Sequence, residues 1–126
     1  MEAATHLIGF FFKLQTQIRL YHWQTKSYAR HQATNGLLLK LDPLIDQFLE
    51  VYQGKYGKVN IGHSRLGFEI RALSDDEASQ FLDACVDTLG AFEDKGFLSE
   101  DDTDLLNIRD EILSNLHQTK YLFSFH

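Results

Sequence analysis

Apolar residues recur at steps of three and four through most of this chain, and one glycine-bearing stretch interrupts them. That spacing marks one face of an α-helix. Leu7, Phe11, Leu14, Ile18 and Tyr21 form a first stripe, which predicts a helix over about Ala3 to Lys26. Leu37, Leu41, Leu44, Phe48 and Val51 form a second, widened by Leu38, Ile45, Leu49 and Tyr52, which predicts a helix over about Tyr28 to Tyr52. Phe81, Leu82, Cys85, Val86, Leu89 and Phe92 mark a third, and Leu105, Leu106, Ile108, Ile112, Leu113 and Leu116 a fourth. The interruption, Gln53 to Leu73, holds four glycines and little periodicity. The chain is therefore two tightly joined helix pairs with one long link. It reads as all-α, a ferritin-like four-helix bundle with one long crossover between the second and third helices. At 126 residues it is one domain, 1–126.

Local signals set the boundaries. Ser74-Asp75-Asp76-Glu77 is a capping box that opens the third helix. Gly96 is placed to stop it, and Ser99 to cap the fourth, with Glu100, Asp101 and Asp102 in its first turn. Pro43 falls inside the second stripe without changing its phase, which favours one kinked helix over a break. In the long link, Phe68, Ile70 and Leu73 can pin the second half as a short helix or an extended strap. Phe10, Phe12, Leu20 and Trp23 lie outside the first stripe, so that helix must meet a second neighbour or another subunit. The tail Tyr121-Leu122-Phe123-Ser124-Phe125 is aromatic enough to dock on its own bundle or on a partner.

Charge and cysteine content narrow the function classes. The net charge is −6, and Lys55, Lys58 and Arg65 are the densest basic group, so DNA binding is not supported. Cys85 has no partner in the chain, which points to a reducing compartment and a cytoplasmic protein, the host cytoplasm if viral. The apolar run near the N-terminus has no basic residues before it and is short, so neither a signal peptide nor a membrane span is expected.

The chemistry-bearing residues concentrate between His22 and Glu50. On an ideal wheel His31, Asn35, Asp42, Asp46 and Glu50 share an arc of roughly 100°. A solvated polar face is the plain reading of such an arc. Three features stand against it: Leu39 in its middle, no basic residue beside Asp46 and Glu50, and His22 and His31 flanking one turn. His31 and Asp46 are separated by about 22 Å of helix at 1.5 Å per residue, so they cannot hold one ion within one chain. Two antiparallel copies would bring His31 of one against Asp46 and Glu50 of the other, making two sites by symmetry. The inferred ligands are His22 and His31 from one chain with Asp46 and Glu50 from its mate, a set suited to iron, manganese or zinc.

His22-Trp23, then His31, then Asp46-x-x-x-Glu50 resembles the Dps-type miniferritins of the ferritin-like superfamily. The resemblance covers about 30 residues. It implies an iron-oxidising site across a two-fold homodimer, in an assembly that can grow to a cage, with Trp23 and Tyr21 placed to quench radicals. The chain departs from that pattern in a shorter turn and in Asn35, which stands where the family has Asp and is a weaker ligand. His117 lacks the glutamate of a Glu-x-x-His pair, so a second ferritin-type ligand set is not expected. HWQTKSYARH with YQGKYG also resembles small uncharacterised proteins of viruses and phages. The alternative reading is a non-enzymatic helical interaction protein that has lost metal chemistry. For Trp23 itself, buried packing is the favoured role.

Overall fold

A computed structural model describes residues 3–125. Four helices follow one another: α1 (Ala3–Gln24), α2 (Tyr28–Tyr56), α3 (Asp75–Gly90) and α4 (Thr103–Leu122). The predicted stripes face one core. Leu7, Phe11 and Leu14 of α1, Leu41 and Phe48 of α2, Leu89 of α3, and Leu105, Ile112 and Leu116 of α4 are essentially fully buried. Phe92, just beyond α3, sits among Phe10, Phe11 and Phe48 as edge-on and tilted rings. Each such pair adds roughly 0.5–1.5 kcal/mol beyond its buried area.

Cross-chain contacts fix the directions. The end of α1 and the start of α2 meet the start of α3 and the end of α4, through Tyr21–Asp75 and Arg30–Phe123. At the opposite end, Lys55 of α2 meets Asp102 at the start of α4, and His6 of α1 stacks near Phe97. Helices α2 and α3 therefore run the same way, and the link between them must travel the length of the bundle. It does so as an extended strap. Leu66, Phe68, Ile70 and Leu73 are half-buried, while Gly67, Glu69 and Arg71 between them face out. That two-residue alternation is the pattern of an extended segment lying on a surface. Gln17, a buried amide, grips it by donating to the Arg71 carbonyl at 2.8 Å and accepting the Arg71 N–H at 3.1 Å. At Gly9 the strap approaches closely: a Cβ there would stand 3.4 Å from the Leu66 carbonyl oxygen.

Several boundaries differ from expectation. Helix α2 continues to Tyr56, where Gly57 ends it at a φ of 91°. It passes unbroken through Pro43, which lies on the exposed side, where water can take the carbonyl the ring leaves unbonded. Helix α3 stops at Gly90, six residues before Gly96. Residues 91–96 form successive turns, and Gly96 ends these at a φ of 76°. The capping box at Ser74 has both arms in place. Asp102 rather than Ser99 occupies the N-cap position of α4, and its side chain makes no capping hydrogen bond there. The reason is long-range: the Asp102 carboxylate accepts the Ser99 N–H, the Lys55 ammonium and the Tyr56 hydroxyl together.

The α1–α2 turn as a candidate metal centre

Three residues separate α1 from α2, so the last turn of one lies against the first turn of the other. Ser27 caps α2 by accepting the Arg30 N–H. His22 and His31 are thereby brought together. Their rings stack with centroids 4.0 Å apart and planes 15° from parallel. Each Nδ1 reaches the other residue's backbone: His31 Nδ1 lies 2.8 Å from the His22 carbonyl, and His22 Nδ1 lies 3.0 Å from the His31 carbonyl. A carbonyl only accepts, so both Nδ1 atoms carry a proton, and in the neutral form of each ring Nε2 keeps the lone pair. The His22 N–H is shared with the hydroxyl of buried Thr34 at 2.9 Å. Desolvation first, and the neighbouring His31 second, lower the His22 pKa from its ordinary value.

This geometry tests the fit of a metal. The tautomers are those a ligating imidazole needs, with the second ring nitrogen oriented by a backbone carbonyl. The stacking works the other way. The lone pairs of two nearly parallel rings run side by side in planes about 4 Å apart and cannot converge on one ion at ~2.1 Å. In this pose the turn offers one imidazole at a time, not a pair. Joint ligation by His22 and His31 would require the stacked rings to turn apart. Among the described residues no group of three or more His, Cys, Asp or Glu side chains is positioned to hold a metal ion.

The other predicted residues lie apart from the histidines. Asp46 and Glu50 are exposed on α2, and neither makes an ion pair or hydrogen bond among the described residues. Asp42, on the same arc, is taken by Gln15 at 3.1 Å and Arg19 at 3.3 Å. Asn35 is exposed on the same arc, two turns before Asp42. Trp23 is 68% exposed, against the expected burial, because it lies on the outer side of α1 with Phe12 and Arg19. Tyr21 is buried in the core stripe and turned from the histidines; its hydroxyl donates to Asp75 at 2.5 Å. Burial, then the Asp75 bond, raise the Tyr21 pKa. Sequence reasoning missed Thr34, whose signal was a hydroxyl one turn after His31. His63 and His117 are exposed, and His126 lies outside the described residues.

Residues 22–123 match the model of a family of unknown function, DUF5856. The chain belongs to that family. The matched segment begins at His22 and takes in the whole turn, α2, the strap, α3 and α4. One similar curated protein is the "Uncharacterized 14.6 kDa protein in mobD-ri intergenic region" of Enterobacteria phage T4, 38% identical over 55 residues. The match covers 44% of this chain and 43% of that protein, so the chain spans less than half the length of its relative. No solved structure matches. Neither the DUF5856 match nor the phage relative supports the miniferritin resemblance. No helix among the described residues is long and apolar enough to cross a membrane.

Proposed function

We propose that this DUF5856 chain is a self-associating helical interaction module, in a viral setting of the kind its phage relative occupies. Two copies meet through the outer side of α1 and α2 about a two-fold axis near Leu39. The observation that carries this reading is Leu39 itself, an aliphatic side chain 70% exposed at the centre of a polar arc. The arc is self-complementary about that point. Tyr28, Gln32 and Asn35 precede Leu39 and supply neutral donors; Asp46 and Glu50 follow it and supply acceptors without partners. An antiparallel copy sets Gln32 opposite Asp46, Tyr28 opposite Glu50, and Leu39 on its counterpart. Phe12 and Trp23 on the adjoining side of α1 extend the apolar contact. Sedimentation of the wild type and Leu39→Glu at tens of micromolar tests this. A wild-type mass of one chain at that concentration sinks the reading; a dimer that the variant converts to monomer sustains it.

A second reading adds a metal to the same face, and the histidine tautomers favour it. One imidazole, His31 or His22, would combine its Nε2 with Asp46 and Glu50 of the other copy. Iron is the ion the miniferritin resemblance implies, and zinc or manganese suit the same donors. A resident iron would supply electron transfer to oxygen or peroxide; the chain's part is to hold the ion and keep the imidazole in the ligating tautomer. Metal analysis of chelator-free protein, with His31→Ala and Asp46→Ala beside it, checks this. Absence of stoichiometric metal in a proven dimer removes the second reading and leaves the first standing.

A further inference from the structure

At the end of the bundle where α2 and α3 begin and α4 ends, a cleft of about 530 Å³ opens between Tyr28, Arg30, Asp75, Asp76, Phe123 and Phe125. We propose that this cleft takes a basic side chain, lysine or arginine, of a partner polypeptide. The cleft shares Tyr28 with the face proposed for self-association, whereas Arg30, Asp75, Asp76, Phe123 and Phe125 lie outside that face.

The lining is what a cation requires. Tyr28 is 76% exposed and Phe125 half-exposed, so two aromatic rings stand open at the mouth of the cleft. A guanidinium or ammonium is attracted to the face of such a ring. The cleft already contains one instance: Arg30 lies over the Phe123 ring at 4.3 Å. That arginine forms no ion pair with either acid. Its N–H groups go to the Asp75 main-chain carbonyl at 2.7 Å, the Tyr21 hydroxyl at 3.1 Å, Ser79 and the Phe123 carbonyl. Neither Asp75 nor Asp76 forms an ion pair among the described residues. Asp75 accepts from Tyr21 and Thr25 through one oxygen, and the Asp76 side chain makes no hydrogen bond among the described residues. Two carboxylates and one internally engaged arginine give the lining a net negative charge, on a chain of charge −6 that draws cations toward it. A cleft of this volume lies in the range of small-ligand sites and has room for one long side chain with its flanking backbone.

The alternative is that Asp75 and Asp76 serve α3 alone, as acids in the first turn of a helix. An NMR titration separates the two. The probes are acetyl-Gly-Arg-Gly-amide, acetyl-Gly-Leu-Gly-amide and acetyl-Gly-Glu-Gly-amide, each to 10 mM. The expected result is saturable shifts of the Tyr28, Asp76 and Phe125 resonances by the arginine peptide only, with a millimolar dissociation constant. Asp76→Asn and Phe125→Ala, each confirmed folded by circular dichroism, should weaken binding at least fivefold. Equal shifts with all three peptides, none with any, or unchanged affinity in both variants overturns the proposal.

Discussion

Phe12, Trp23, Tyr28 and Leu39 stand exposed on the outer side of α1 and α2. The outer side of α3, α4 and their connection exposes mainly carboxylates, with Tyr121 at the end of α4 the exception. From Asp75 to Glu111 the sequence has thirteen acidic residues, and its only bases are Lys95 and Arg109. Asp76, Asp87, Asp94, Glu100, Asp101 and Glu111 are exposed and in none of the ion pairs among the described residues. A surface dense in one charge repels its own copy and holds water, whereas an apolar strip on a polar arc favours contact. The two hairpins bury similar stripes and differ outside: the α1–α2 side is suited to meeting a second copy, and the α3–α4 side, away from the cleft at the start of α3, to staying solvated. The acidic hairpin uses its charges inwardly as well, to fasten itself. Substitutions of its inward-turned charges should therefore act on stability, and substitutions on the outer side of the other hairpin on association.

The largest effect is expected at Arg109. It is buried, and it binds Glu93 through two nitrogens at 2.6 and 3.1 Å, together with the Leu89 carbonyl at 2.7 Å. It thus closes the end of α3 onto α4. The Glu93 bond raises the Arg109 pKa, and in turn Arg109 lowers that of Glu93. Removing one partner of a buried pair leaves the other without its counter-charge. Arg109→Met should lose about 3 kcal/mol of unfolding free energy in urea, toward the low end of that range because Glu93 can still reach water. A loss below roughly 0.5 kcal/mol, the level of an ordinary surface change, would show that the acidic hairpin is not held from within.

Asp102 comes next. Its burial opposes ionisation, but hydrogen bonds from Lys55, Tyr56 and the Ser99 N–H prevail and hold its carboxyl at about 2. A carboxyl depressed in the folded state stabilises the protein above the ordinary carboxylate range, and that contribution is lost as pH falls through the folded value. Wild-type stability should fall between about pH 4 and pH 2 by about 2 kcal/mol from this group. Asp102→Asn should lack that segment of the pH profile and be destabilised by a similar amount at pH 7. An unchanged profile in the variant assigns the acid sensitivity elsewhere.

The same residue shows how far the sequence could be read. The core stripes and the Ser74 capping box were legible because helix period and capping are local properties. Both Ser99 and Asp102 are residue types that cap helices, so local chemistry could not choose between them. The choice is made by Lys55 and Tyr56, which lie 47 and 46 residues away. Gln17 and Arg109 were missed for the same reason: a polar residue on a core stripe is intelligible only once its distant partner is known. The His22–His31 pairing was legible from the short turn between them. Its stacked geometry was not, since it depends on each ring finding the other's backbone carbonyl. Trp23 was read as buried because aromatic residues usually are, and it is the outer face of α1 that decides otherwise.

Leu39→Glu is expected to move association rather than stability. The side chain is exposed, so unfolding free energy should change by no more than about 0.5 kcal/mol. The dimer dissociation constant should rise at least tenfold, roughly 1.4 kcal/mol, by sedimentation at several concentrations. Loss of stability without change in mass would place Leu39 in the monomer's own packing and end the contrast between the two faces.

The smallest effect should come from the reverse experiment on the acidic face. Glu111 is exposed on α4, and its carboxylate makes no hydrogen bond or ion pair among the described residues. Glu111→Leu places there the same side chain that marks the contact face on α2. A lone leucine among carboxylates has no complementary arc opposite it, and the surrounding charge still repels a second copy. Unfolding free energy should therefore stay within about 0.5 kcal/mol of wild type, and the mass in solution should be unchanged. An increase in mass would mean that exposed leucine alone suffices for association. The significance of Leu39 would then lie in its hydrophobicity and not in the donors and carboxylates arranged around it, and the two-fold axis would lose its basis.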